Sequence, residues 1–141
     1  MERKDLEILR KVLEQNWDDK TSFDKISDFW GEPKSVGQCY VTARVLNFRY
    51  GWVLLRYKRE GWNHYWNRLP DGTEVDLTSD QCGGDGIYPT DEYKGKGKEM
   101  HLKAMGEVKT LNPRLNLFMK RVWQTLPTFS SPSGVSVEAL Q

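Results

Sequence analysis

The chain has 141 residues, the size of one domain, and neither an internal repeat nor an interdomain linker divides it. Its 21 basic and 20 acidic residues nearly cancel, so no net charge favours binding to nucleic acid or to an anionic membrane. A charged, amphipathic N-terminus and the lack of a long apolar stretch predict neither a signal peptide nor a membrane span, and we expect a cytoplasmic protein with two free thiols.

Two helices are predicted in the first third of the chain. Apolar residues recur at helical spacing over residues 2–17 and again over residues 39–50, with a loop between them. Gly51 follows the second pattern directly and can end that helix in the left-handed conformation.

The period then changes to that of strands. Residues 52–58 and 61–69 are rich in aromatic and β-branched residues, and residues 73–78 follow after a turn, so three strands are predicted. Residues 80–99 are predicted as a long Gly-rich loop, residues 93–103 as a solvated basic segment, and residues 112–126 as a last helix. We expect one domain over residues 1–128 and a loose tail over 129–141.

Cys39 stands directly before the predicted second helix, after Gly37 and Gln38. A cysteine in the first turn of a helix faces unpaired backbone N–H groups and the positive end of the helix dipole, and both favour the thiolate. The same amides can stabilise the oxyanion formed when sulfur attacks a carbonyl. A buried core cysteine is an equally weighted alternative, since free Cys is among the most buried residue types.

The turn after the second predicted strand fixes how that strand pairs with the third. The sequence LPDGT at 69–73 favours a type I turn followed by Gly72 in the left-handed conformation, which makes a three-residue hairpin loop. In this register Arg68 faces Glu74, and their opposite charges support the pairing.

The same register places His64 and Asp76 on one face of the sheet as diagonal neighbours, because side chains alternate with a period of two. With the thiol, they predict a Cys39–His64–Asp76 constellation in which sulfur attacks, imidazole carries the proton and carboxylate orients the ring. The alternatives are a structural strand histidine for His64 and a surface or turn-supporting carboxylate for Asp76.

Three stretches carry a family resemblance: WDDKTS at 17–22, GQCYVTA at 37–43 and HYWNRLPDGTEVDLTSDQ at 64–81. They resemble the bacterial YunG-like family, and the order Cys, His, Asp is similar to that of transglutaminase-like and other papain-like thiol enzymes. The resemblance implies an α+β papain-like (transglutaminase-like) fold, with a Cys-bearing helix packed on a small antiparallel sheet. It assigns catalysis to Cys39, His64 and Asp76. The chain departs from the family pattern at Cys82, where an aromatic residue usually stands.

The surrounding motif positions are candidates for the oxyanion site or the cleft: Gln38, Trp66, Asn67, Thr78 and Gln81. The Gln38 amide can point at an oxyanion or equally satisfy loop carbonyls. Trp66 can form a wall of the cleft or cover the hairpin, Gln81 is a weaker candidate, and Trp30 and Trp62 are expected in the core. Cys82 has no helix start behind it, so we expect it to be the less reactive thiol.

A metal site is not expected. Cys39, His64, Cys82 and His101 offer zinc-ligand types, but no two of them stand at the close spacing typical of zinc sites, so neither a metal nor another cofactor is predicted.

The leading function is a cysteine hydrolase or acyltransferase that forms a thioester at Cys39. Hydrolysis of a peptide or amide, deamidation of a glutamine side chain and transfer to an amine all stay open. We expect a protein or peptide substrate and neither nucleic acid nor membrane as a partner, with the oligomeric state open. The alternative is a non-catalytic protein- or peptide-binding module on the same fold, which would have no need of a reactive Cys39.

Overall fold

The computed structural model describes residues 1–23, 33–101 and 112–129. In these residues, three helices pack with one antiparallel sheet that has four strands. The helices are α1 (Arg3–Glu14), α2 (Cys39–Tyr50) and α3 (Pro113–Val122). The strands are β1 (Val53–Arg59), β2 (Trp62–Arg68), β3 (Glu74–Val75) and β4 (Lys98–Met100), in the spatial order β3-β2-β1-β4. The predicted α+β class with a small antiparallel sheet is confirmed.

Helix α2 lies at the centre of the fold and packs on β2. It is buried on nearly all sides, and its polar Thr42 and Arg44 are also almost fully buried. On the sheet side, the Asn67 side-chain amide donates to the Ala43 carbonyl at 3.0 Å and so joins β2 to the helix. Gly51 ends α2 with a φ of 73°, as predicted.

The main hydrophobic core unites the three helices with the segment after β2. Apolar positions at helical spacing on α1 and α3 face α2, because burying those faces is what stabilises such short helices. The fully buried members include Leu6, Leu9, Leu13, Val41, Val45, Leu46, Val75, Leu77, Leu115, Phe118 and Val122.

The hairpin between β2 and β3 has the predicted geometry. The Leu69 N–H donates to the Thr73 carbonyl at 2.8 Å, Gly72 has a φ of 92°, and Arg68 pairs with Glu74. The third strand is shorter than predicted, however, since β3 ends at Val75. The backbone N–H of Asp76 leaves the ladder and donates to the Ile87 carbonyl at 2.8 Å instead.

The region predicted as a long loop over 80–99 is more ordered than expected. A 3₁₀ turn covers Ser79–Cys82, and the basic segment supplies the edge strand β4. Arg10 of α1 holds the first part in place, since its guanidinium pairs with the Asp80 carboxylate at 2.9 Å and 3.0 Å and donates to the Leu77 carbonyl at 3.0 Å. Short-range sequence patterns do not report such long-range pairings.

The predictions of a loose tail and of two core tryptophans concern residues that lie only partly within the described ranges. Phe129, the first residue of the predicted tail, packs against Tyr50 with ring centroids 5.3 Å apart, and residues 130–141 lie outside the described residues, as does Trp30. The expectation that Trp62 is a core residue is wrong, because 41% of its surface is exposed. No helix within the described ranges is long and apolar enough to cross a membrane.

Candidate active site

Cys39 is the first residue of α2 and lines a pocket. It is 8% exposed, and its Sγ lies 3.9 Å from the Asn63 carbonyl oxygen of β2. Gly37, with a φ of 76°, turns the chain into the helix just before it. The backbone N–H groups of a first helical turn have no acceptor within the helix, so they can stabilise negative charge near Sγ.

His64 and Asp76 form a buried pair beside Cys39. The side chains are 0% and 2% exposed, and His64 Nε2 lies 2.6 Å from Asp76 Oδ2. Burial lowers the pKa of His64, but hydrogen bonds to Asp76 and Cys39 outweigh it and raise the pKa to about 9. The ring therefore lies between the carboxylate and the thiol; the hairpin register predicts that His64 and Asp76 are close, but it does not place Cys39.

Thr78 holds the other oxygen of the Asp76 carboxylate. The backbone N–H and the hydroxyl of Thr78 both donate to Asp76 Oδ1 at 3.1 Å. With His64 on Oδ2, the carboxylate has three donors, which compensate for burial of its charge. Asp76 is thus not a surface carboxylate, although its bonds to Thr78, two residues on, also fit the turn-supporting alternative.

Gln81 connects the loop before Cys39 to the imidazole. Its Oε1 accepts from the Gly37 N–H at 3.1 Å, while its Nε2 lies 3.2 Å from Thr78 Oγ1 and 3.4 Å from His64 Nδ1. The weaker sequence candidate is therefore placed directly at the ring.

Three other sequence candidates lie around the site without facing the thiol. The Gln38 amide accepts from the Thr21 hydroxyl at 2.7 Å and donates to the Asp18 carbonyl at 3.0 Å, which matches its alternative interpretation as a partner of the preceding loop. Asn67 anchors α2, as described above. Trp66 stacks on His64 with ring centroids 5.4 Å apart and is 1% exposed.

The pocket lined by Cys39 has a volume of about 340 Å³, and four of its ten described lining residues are aromatic. Phe23 and Trp62 lie at its rim, 49% and 41% exposed. Its remaining lining includes Gly37, Tyr40, Asn63, Tyr65, Gln81 and Asn112. Solvent and a small side chain or backbone segment thus have a route to the site of Cys39.

A second pocket of about 460 Å³ adjoins the first and shares Trp62 and Gln81 with it. Arg59, Glu92 and Tyr93 line its far side. We call the two adjoining pockets together the cleft, and Cys39 lines the first of them.

Cys82 lies in the second pocket, at the end of the 3₁₀ turn. Burial raises the pKa of its thiol to about 11, which favours the unreactive protonated form. Within the described ranges, no group of three or more His, Cys, Asp or Glu side chains is arranged to hold a metal ion.

Sequence reasoning missed Tyr93, whose ring packs against that of His64. Tyr93 is 1% exposed, and its ring lies 4.5 Å from the His64 ring. Its hydroxyl accepts from Arg59 at 3.1 Å. The signal in the sequence was two tyrosines, Tyr88 and Tyr93, in a loop that is otherwise polar and Gly-rich. A periodic pattern over a few residues does not show which side chain such a tyrosine packs against.

Comparisons with known proteins agree with the family resemblance noted from the motifs. No curated protein and no solved structure matches the chain significantly. The family model described as YunG protein matches residues 5–124, a span that contains Cys39, His64, Asp76 and Gln81. The chain therefore belongs to the YunG family.

Proposed function

We propose that the protein is a cysteine hydrolase or acyltransferase with a papain-like, transglutaminase-like core, which passes through a thioester at Cys39. The observation that carries the proposal is the buried His64–Asp76 pair, joined at 2.6 Å, with Cys39 near enough to raise the pKa of the same imidazole. A carboxylate that orients a histidine beside a thiol at a helix start is the arrangement that activates sulfur for acyl chemistry.

Acylation begins when Cys39 Sγ attacks the carbonyl carbon of an amide. A carbon–sulfur bond forms, the thiol proton passes to His64 Nδ1, and the oxygen becomes an oxyanion. Backbone amides at the start of α2 stabilise that charge. The intermediate then collapses, the carbon–nitrogen bond breaks, and His64 returns the proton to the leaving amine.

Deacylation runs through the same residues. Water, or an amine in a transfer reaction, attacks the thioester carbon and gives a proton to His64. The carbon–sulfur bond breaks, and the proton returns to Cys39. Water completes hydrolysis or deamidation, whereas an amine completes acyl transfer.

The cleft favours a protein or peptide substrate. Two adjoining pockets of about 340 and 460 Å³ flank Trp62 and Gln81, which suits an extended chain that crosses above Cys39. The substrate carries a peptide amide or a glutamine side-chain amide at that point. We place this activity in the cytoplasm, where the free thiols Cys39 and Cys82 stay reduced.

A binding module is the second candidate, and the exposed rings of Phe23 and Trp62 at the pocket rim favour it. Such rings are typical of surfaces that bind peptides. The two functions differ in whether Cys39 is reactive, so one experiment separates them.

The test is the rate of Cys39 alkylation by iodoacetamide against pH, in a Cys82→Ser background that leaves one thiol. An isolated thiol is only a few per cent thiolate at neutral pH, so we expect His64→Ala to slow the reaction there by about tenfold or more. Asp76→Asn should give a smaller loss because the ring remains but is misoriented. Circular dichroism checks that each variant is folded.

A Cys39 that reacts no faster than an unfolded control, and that is indifferent to both substitutions, would support the binding module. A loss of reactivity that tracks a loss of folding would instead assign His64 and Asp76 a structural role.

A further inference from the structure

Gln81 belongs to a closed ring of hydrogen bonds around His64. From His64 Nε2 the ring runs to Asp76 at 2.6 Å and on to Thr78 Oγ1 at 3.1 Å. Gln81 Nε2 closes it, 3.2 Å from Thr78 Oγ1 and 3.4 Å from His64 Nδ1. Both nitrogens of the imidazole are therefore in contact with the same network.

The direction of each bond follows from the chemistry of the groups. The Asp76 carboxylate only accepts, so the Thr78 hydroxyl hydrogen is used on Oδ1, and Thr78 Oγ1 must accept from Gln81. The Gly37 N–H can only donate, so it fixes Oε1 as the amide atom on its side. The nitrogen of Gln81 is consequently the atom that faces His64 Nδ1.

An amide NH₂ is a donor, and a donor facing Nδ1 requires a lone pair there. The carboxylate at Nε2 requires a hydrogen on that nitrogen. The two demands together select the neutral imidazole that is protonated on Nε2. This is the form that can take a proton from a thiol.

We propose that Gln81 is a positioning residue whose amide donor at Nδ1 selects the Nε2–H tautomer whenever the His64 ring is neutral, and opposes protonation of Nδ1. The inference rests on the proposed function for its catalytic meaning. Gln81 opposes the imidazolium, whereas the neighbouring Asp76 and Cys39 favour it. Without this donor, His64 would stay protonated to a higher pH and would be available as a base over a narrower pH range.

Besides Asp76, Gln81 and Cys39, aromatic side chains pack on the His64 ring. Trp62 and Trp66 of β2 lie 5.8 Å and 5.4 Å from the ring by centroids, and Tyr93 lies 4.5 Å from it. The Tyr93 hydroxyl is engaged with Arg59, and burial raises its pKa to about 12. Cys82 stays a thiol because burial raises its pKa to about 11. Tyr93 and Cys82 therefore stay uncharged below about pH 10, which is the range over which His64 is titrated.

The test is the titration of His64 by ¹⁵N-detected histidine NMR, in a Cys39→Ala background that removes the neighbouring thiol. Only two histidines occur in the chain, and His101, 86% exposed, serves as the internal reference. Gln81→Met keeps the length of the side chain and removes the donor. Gln81→Glu keeps the shape and replaces the donor with a charged acceptor.

We expect the pH at which His64 is half deprotonated to be lowest with Gln81, higher in Gln81→Met and highest in Gln81→Glu. Losing a weak donor should shift it upward by about half a unit, and gaining a carboxylate by about one to three units. The His101 midpoint should not move. A midpoint in the Met variant at or below that with Gln81, or a Glu variant no higher than the Gln81 protein, would overturn the proposal.

The outcome is independent of thiol reactivity. If Cys39 proves unreactive while the predicted order of midpoints holds, the proposed function fails and the placement of the Gln81 donor stands. If Cys39 is reactive and the order fails, only the role of Gln81 is withdrawn. Should the Met variant not fold, the Glu variant, which matches glutamine in shape, decides by itself.

Discussion

The Asp76 carboxylate is the residue on which the geometry of the site depends most. It is 2% exposed, and His64 and Thr78 supply its three hydrogen-bond donors. A buried carboxylate that loses a donor becomes costly and loses orientation, because nothing in its surroundings replaces that hydrogen bond. The Thr78 hydroxyl is the donor that can be removed with the least change of shape.

Thr78→Val should lower the free energy of unfolding by about 1–2 kcal/mol and slow Cys39 alkylation at neutral pH. The valine keeps the volume of threonine but leaves Oδ1 with the backbone donor of residue 78 only. Urea unfolding and iodoacetamide labelling measure the two effects.

Thr42→Val is the matched control for that change. Thr42 is 2% exposed and accepts a hydrogen bond from Trp17 Nε1 at 2.9 Å, so its loss costs stability by a similar amount. It has no bond to His64 or Asp76, so labelling of Cys39 should be unchanged. If both variants slowed labelling alike, the Thr78 effect would reflect general loosening of the fold.

Most of the site could be predicted residue by residue, for a reason that is local. The turn LPDGT sets the register of β2 and β3 as far as Val75, and Asp76 follows directly and meets His64, so a short-range rule brings a longer-range contact close. The orientation of the Gln38 amide could not be predicted. Its partners, Asp18 and Thr21, lie about 20 residues away in a loop whose path no period describes.

At the scale of elements, the edge strand β4 is the part of the sheet that the sequence did not reveal. It has three residues and a basic composition typical of a solvated loop. Its position depends on Gly97, since a Cβ there would lie 2.7 Å from the Trp66 ring and 2.8 Å from Leu55 Cβ. The strand approaches the sheet closely because this residue has no side chain.

Gly97→Ala should therefore lower the free energy of unfolding by about 1–3 kcal/mol, as expected for overpacking. Trp66 stacks on His64, so a shifted Trp66 ring should also change the ¹⁵N shifts of His64 in the NMR experiment above. Denaturant unfolding and those shifts are the two measurements.

Gly61→Ala gives the comparison, because a Cβ at Gly61 meets nothing within 4 Å although its φ is 85°. That variant should cost about 1 kcal/mol through backbone strain and leave the His64 shifts unchanged. A Gly97 variant as stable as wild type would mean that β4 does not pack as closely as described.

At the scale of the whole molecule, the helices and the β1–β2–β3 meander followed from strong periodic patterns and clear turn residues. What did not follow was how the chain from Asp76 to Met100 folds back over the sheet. That path is set by single long-range contacts, such as Arg10 with Asp80 and Tyr93 with His64. Each contact joins residues far apart in sequence, so no local propensity reports it.

The raised pKa of the buried His64 makes the free energy of unfolding depend on pH. The folded-state pKa of His64 is about 9, above its ordinary value of 6.5. A histidine whose pKa is raised on folding stabilises the fold fully below its unfolded pKa, and that stabilisation is lost as the pH rises through the folded value. The Cys39 contact contributes to the raised pKa, so the pair with Asp76 is best measured without the thiol.

In a Cys39→Ser background, we expect the free energy of unfolding to fall by about 1–3 kcal/mol as the pH rises from about 6 to about 8.5. This upper limit stays below the range in which Cys82, whose buried thiol has a pKa raised to about 11, would add its own dependence. The control is Cys39→Ser with His64→Gln, in which the fall should be absent because no ionisable ring remains beside Asp76. Urea titrations at a series of pH values measure both proteins. If the free energy of unfolding changes with pH in the same way in both proteins, His64 binds no extra proton on folding. That result would contradict the protonated His64–Asp76 pair.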